Sequence, residues 1–184
     1  MKDSTITFGE MSLVYGGMIP GGDMGERFGY TNMIGGEAGI KLSNNLFFRI
    51  GAKFLFGNDV RERVAENVTT LIGTDQSGFQ TMAIGEDGRF YQLRIWERGF
   101  VITVTMGKIF RLNPNNPNSG IYVEGGAQFI QHKVLIDVIG NNVAYLDGRH
   151  RKGYDRLTNG FGAVEGVGYR YYSQRRTVNF FIGL

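Results

Sequence analysis

The stretch from Leu46 to Phe56 constrains this chain more than any other. Its even positions, Leu46, Phe48, Ile50, Ala52, Phe54 and Phe56, are all apolar, whereas Arg49, Gly51 and Lys53 share the odd positions with Phe47 and Leu55. Successive side chains of a strand point to opposite faces, so a period of two divides a wholly apolar face from one that carries charge. A stretch of this length matches the roughly 9–11 residues with which a tilted strand crosses a bilayer.

The preceding segment repeats the pattern. Ile34, Gly36, Ala38, Ile40 and Leu42 share one face, and Gly35, Glu37, Gly39 and Lys41 the other. Ser43-Asn44-Asn45 between the two segments predicts a tight hairpin. Pairing Leu42 with Leu46 then sets Glu37 opposite Gly51 and diagonal to Arg49 and Lys53, within reach of long side chains.

Further strands are expected at Met11–Ile19, Gly99–Phe110, Ile121–Phe129 and Phe161–Tyr172, with a seventh beginning at Val178. In the Gly99–Phe110 segment, Phe100, Ile102, Val104, Met106 and Phe110 share a face; Lys108 breaks it beside a turn, where a lysine can snorkel. Tyr91, Leu93 and Ile95 are out of phase with that face, which predicts a bulge near Glu97–Gly99. The Phe161–Tyr172 segment is ambiguous, because Glu165 and Arg170 fall on opposite faces.

Connections of two kinds alternate along the chain. Those at 43–45, 111–119 and 173–177 are brief, and those at 21–32, 57–89 and 137–160 are longer. Outer-membrane barrels have short periplasmic turns and longer extracellular loops, and even strand numbers. The expectation is therefore one all-β domain over residues 1–184, an antiparallel up-and-down transmembrane β-barrel. Eight strands are expected in the complete protein, the last one or two falling after Leu184. The 29 glycines suit curved, closely packed strands, and the prolines Pro20, Pro114 and Pro117 fall in loops or at strand ends.

Composition removes several function classes. With no cysteine there is no disulfide framework, thiol nucleophile or Cys-based zinc site. The formal net charge of +3 is spread along the chain, which does not suit a nucleic-acid binder. No apolar run approaches the roughly 20 residues of a membrane helix. The opening MKDSTITFGEM lacks the marks of a signal peptide, so an exported chain is expected in its processed form.

Glu10, Glu37, Lys41, Arg49, Lys53, Glu124 and Glu165 are the candidate interior polar network. They form either a proton or ion path or, as expected here, a set of pairs filling a lumen too narrow to conduct. His132 and His150 are the only histidines, and neither has an adjacent serine to activate. Asp75, Glu86 and Asp87 lack the spacing of a calcium loop, and Asp87-Gly88 suits a turn. No catalytic residue, metal site or cofactor is expected. Val60, Val64, Val68, Leu71 and Ile72 recur at helical spacing in the 57–89 loop. In the 137–160 loop, Arg149, His150, Arg151, Lys152 and Arg156 form a basic patch. It suits either solvent or a lipopolysaccharide or protein partner, phosphates being held by charge-assisted hydrogen bonds.

After the first strand, the stretch Ile19-Pro20-Gly21-Gly22-Asp23-Met24-Gly25-Glu26-Arg27-Phe28-Gly29 resembles small outer-membrane β-barrel proteins of the Bacteroidota. That resemblance implies an eight-stranded barrel in the outer membrane. The group includes accessory subunits of secretion and barrel-assembly complexes, so the partners expected are outer-membrane lipid and other envelope proteins. The alternative is a soluble, lipocalin-like barrel binding an apolar ligand, which uses the same alternation turned inside out. A lipid-modifying membrane enzyme is a third possibility. The side to which the apolar faces point separates the first two.

Overall fold

A computed structural model describes residues 4–61, 81–138, 143, 146, 157–173 and 179–184. The described residues are all-β apart from one short helix. Its elements are β1 (Phe8–Met18), α1 (Gly22–Arg27), β2 (Thr31–Lys41), β3 (Leu46–Gly57), β4 (Thr81–Ile84), β5 (Phe90–Asn113), β6 (Asn116–Val138), β7 (Thr158–Tyr172) and β8 (Asn179–Gly183). Seven of the strands form one curled, half-barrel sheet in the order β1-β2-β3-β5-β6-β7-β8, each antiparallel to the next, and β4 pairs with β5 off this path. Among the described residues β1 and β8 are the two edges, and the up-and-down order makes them run in the same direction. No helix of the described residues is long and apolar enough to cross a membrane.

The β2–β3 register is the one expected from the sequence. Leu42 N donates to Leu46 O at 2.8 Å, and Glu37 lies opposite Gly51. Asn45 closes the turn in the left-handed region (φ 63°), where asparagine is tolerated better than most residues.

Strand faces follow parity along the whole sheet. On the convex side Met11 and Leu13 are 90% and 94% exposed, and Ile34, Phe48, Ile50, Val104, Met106, Val123 and Ile182 are also exposed. On the concave side Phe47, Arg49, Thr103, Thr105, Tyr122 and Arg170 are buried. The outer face of this layer is thus apolar, while the Arg49 and Arg170 guanidinium groups face inward among aromatic rings.

Three expectations change. No bulge interrupts β5 at Glu97–Gly99: pairing with β3 and β6 runs through these residues, and the one register shift lies between Arg111 and Asn113. Leu93 and Ile95 point inward like Thr103, but they meet a different layer of the interior, an apolar one. The brief connection placed at 111–119 shrinks to Pro114–Asn115, because β5 and β6 pair to their ends. The 57–89 connection contains β4 and the turn Gly85–Arg89, where Gly88 has φ 73°. Asp87 accepts hydrogen bonds there from Arg89 N and the Tyr91 hydroxyl. The first of these holds its carboxyl below the usual range.

Candidate functional site, the ion-paired interior and its two ends

The middle of the concave side holds a ladder of alternating charges. Glu37 on β2 receives Arg49 Nη1 at 2.9 Å and Lys53 Nζ at 2.8 Å, both from β3. Arg49 Nη2 also binds Glu124 on β6. The placement follows from the register, since the partner positions opposite Glu37 and Arg49 are glycines, Gly51 and Gly39. A Cβ at Gly51 would lie 2.9 Å from Glu37 Cγ, so glycine makes room for the carboxylate stem.

A second cluster joins the first strand, β1, to the sixth of the path, β7. Arg170 on β7, 2% exposed, donates from Nη1 to Glu10 Oε1 at 2.8 Å and to the Tyr172 hydroxyl at 3.1 Å, and Tyr172 donates to Glu10. Both guanidinium groups stand against the same rings. Arg49 lies 5.1 Å from the centroids of Phe47 and Phe181, and Arg170 lies 4.8 and 5.3 Å from them, with Tyr122 at 5.6 Å from each. Aromatic faces attract desolvated cations, which offsets part of the cost of burying them. Three carboxylates (Glu10, Glu37, Glu124) meet three cations (Arg49, Lys53, Arg170), so the clusters balance in charge. Arg170 Nε and Nη2 nevertheless make no hydrogen bond.

Lys41 is interior, but among the described residues it binds no carboxylate. Its ammonium donates to Asn118 Oδ1 at 2.9 Å and to the carbonyls of Ile6 and Leu42 at 3.3 Å. Asn118 in turn receives Ile6 N and donates to Ser4 O. The segment before β1 is thereby tied across the end that carries the short turns. Glu165, expected inside, is exposed on the convex face opposite Gly125. Strand parity explains it: Arg170 takes the inward phase of β7 along with Gly162, Gly166 and Gly168, and the odd-numbered Glu165 must then point out.

At the end with the longer loops the lining turns apolar. Phe28, Leu93, Val134, Ile136, Val143 and Leu146 form a buried cluster, against which Met24, Val60 and Ile95 pack. The helix α1 delivers Phe28, with Asp23 in its first turn and Arg27 in its last, as its dipole favours. Between this plug and the ionic layer, buried Glu97 accepts a hydrogen bond from Thr31. Buried His132 meets the Phe28 ring edge-on at 5.2 Å. Val60 belongs to the plug, while the rest of its helical pattern lies outside the described residues. So do the basic residues Arg149, His150, Arg151, Lys152 and Arg156, together with His150's surroundings and Asp75.

Chemically, the concave side is lined at two levels: charge pairs and rings at one, an apolar plug at the other. Among the described residues no group of three or more histidines and carboxylates is placed to hold a metal ion. Arg170, Tyr172 and Glu97 were missed by strand-by-strand reading. The signal for Arg170 was available in the glycines of its own face, which mark a crowded interior.

The fold and this interior define a β-barrel-type protein with a polar inside and an apolar outside. Compared with family models, curated proteins and solved structures, the chain matches none.

Proposed function

We propose that this chain is an integral outer-membrane β-barrel, non-enzymatic, acting as a structural or accessory subunit of a larger envelope assembly such as a secretion or barrel-assembly complex. The observation that carries the membrane part is the convex face. Phe54, Phe100, Phe129 and Phe161 lie in line across four strands, with ring centroids 5.9 Å apart for Phe100–Phe129 and 4.9 Å for Phe129–Phe161. On β5 the next aromatic on that face is Phe110. At ~3.3 Å per residue and a ~40° tilt, the stretch from Phe100 to Phe110 covers about 25 Å along the membrane normal. That is the height of the apolar band between aromatic girdles in outer-membrane barrels.

A soluble lipocalin-like barrel needs the reverse arrangement, a greasy inside and a charged outside. Here it would leave Met11, Leu13, Ile50, Val104 and Ile182 in water as one continuous surface, far beyond the few hundred Å² that soluble monomers usually expose. The accessory role is supported by the concave side, where the charged groups are paired with one another, which leaves loops and outer wall as the surfaces for contact. Kinship with small barrels of the Bacteroidota belongs to the same proposal.

The test is fractionation of cells expressing the exported chain. Sedimentation with outer membranes, resistance to alkaline extraction and heat-modifiable mobility are expected. A protein that stays in solution without detergent refutes the reading.

A further inference from the structure

Glu10, Glu37 and Glu124 each bind a cation, but Glu97 forms an ion pair with none of the described residues. It is 1% exposed on β5, between Gly57 of β3 and Val134 of β6. Its Oε2 meets the Thr31 hydroxyl, and its buried Oε1 makes no hydrogen bond. A Cβ at Gly57 would stand 3.2 Å from Oε2, so glycine leaves room for the carboxyl. The charged groups of the surrounding elements are engaged with other atoms. From α1 comes Arg27, whose Nη1 donates to Thr158 Oγ1 at 2.8 Å, and from β6 comes His132, against the Phe28 ring. Asp59, just after β3, accepts Tyr30 N at 3.3 Å. The next inward charges of β2 and β3, Glu37 and Lys53, bind each other, and Arg98 lies on the opposite face against Trp96.

The same hydroxyl ties this carboxyl to the plug. Thr31 Oγ1 also lies 3.4 Å from the carbonyl oxygen of Gly29, the residue after Phe28. It has one proton for two acceptors, so an ionised Glu97 leaves one of them unserved. A protonated Glu97 donates to Thr31 Oγ1 and the hydroxyl turns to Gly29 O, so both bonds form. We propose that Glu97 is a proton-binding latch: its neutral acid ties the Phe28 plug to the concave wall, and loss of the proton to water lets the plug lift. An ionised carboxyl without a cation is costly in an apolar layer, and lifting the plug admits the water that relieves it. Glu97 lies three residues beyond Phe100, outside the apolar band. Burial there holds its carboxyl above the usual range, against the pull of Thr31, Arg27 and Arg98. The closed form thus holds the proton more tightly than the open one. Closure is complete in acid and weakens as the pH rises from the ordinary carboxylate range through the raised one. The latch is independent of whether the outer wall meets lipid.

The chain has no cysteine, so one placed under the plug reports its opening. Val134→Cys is nearly isosteric at a fully buried position opposite Glu97. Leu112→Cys, at an exposed position, corrects for the thiol's own titration. The full chain in detergent micelles is labelled with a maleimide. From about pH 5 to about pH 8 the rate at position 134 relative to 112 should rise about tenfold or more. In Glu97→Gln and Glu97→Met, neither of which ionises, it should stay within about threefold, while His132→Gln should keep the rise. The latch is overturned by the absence of a rise with Glu97 and His132 in place. A rise that survives both neutral variants, or one that disappears with His132, overturns it equally. So does loss of the circular-dichroism signal of the strands at the higher pH, because opening would then be global unfolding.

Discussion

Replacing Val104 by arginine separates a wall that faces lipid from one that faces water. Val104 is 56% exposed on the convex face, pairs with Ile50 and Ala127, and lies between the aromatics Phe100 and Phe110. Four residues from Phe100 at ~3.3 Å each, tilted ~40°, put it about 10 Å below that girdle, near the middle of a ~25 Å band. Arginine at a bilayer midplane costs roughly 2–4 kcal/mol, against about 0–1 kcal/mol near the interfaces. Gln131→Arg, one row beyond the aromatic line, supplies the interfacial control. Equilibrium urea unfolding from lipid vesicles should thus show Val104→Arg lowering the folded-to-unfolded ratio about 30- to 700-fold, at 1.4 kcal/mol per tenfold. Gln131→Arg should change it by less than about fivefold. In a soluble barrel both are exposed surface substitutions, within about 0.5 kcal/mol of neutral. Equal, near-zero costs for the two variants would therefore refute the lipid-facing assignment, whatever the fold.

The interior supplies further tests. Glu37→Gln strips Lys53 of its carboxylate and weakens one side of Arg49; because the pairs are largely buried, a loss of about 3–5 kcal/mol is expected. Adding Lys53→Met should restore part of it, and a double variant no more stable than Glu37→Gln would show that the pair does not matter. Glu10 and Arg170 link the first and sixth strands of the path, so a double-mutant cycle with Glu10→Gln and Arg170→Met should give a coupling of about 0.5–3 kcal/mol. Strict additivity would mean that the strands are not joined through these side chains. Gly107→Ala places a Cβ 2.4 Å from both the Phe47 ring and the Val123 carbonyl, and should destabilise by about 1–3 kcal/mol. An unchanged urea midpoint would place Phe47 elsewhere.

The parts that were legible in the sequence are those where one physical rule acts alone. Between Ile34 and Phe56 the hairpin turn fixes register and the bilayer-like alternation fixes the faces, so the Glu37–Arg49–Lys53 cluster could be placed in advance. Glu165 could not be placed from its own charge, because polarity assigns a face only when every polar residue of a strand agrees, and in β7 Glu165 and Arg170 disagree. The structure settles the phase through packing. Gly168 leaves space that the Tyr122 ring occupies: a Cβ there would lie 2.7 Å from the ring edge, so the even-numbered face is the inner one. The contacts of Arg170 with Glu10 and Tyr172 span 160 and only two residues of chain, and the longer of these has no local signature at all.

The misplaced bulge carries the more general lesson. Polarity along β5 inverts near Glu97, and polarity inversion reads as a phase shift if the interior is assumed to have one chemistry throughout. The interior has two. Below, Thr103 and Thr105 line the ionic layer, and above, Leu93 and Ile95 enter the plug with Phe28, all on one uninterrupted face. The outer face changes at nearly the same height, from Phe100 to Arg98. Backbone geometry fixes which way a side chain points, and the medium on each side fixes what kind of side chain is tolerated there. An apolar inner layer becomes possible where the outer wall leaves the apolar band, because burial against water then drives packing inward. Under the proposed membrane reading, the joint reversal of both faces on a single unbroken strand marks the level at which the wall passes from hydrocarbon into water.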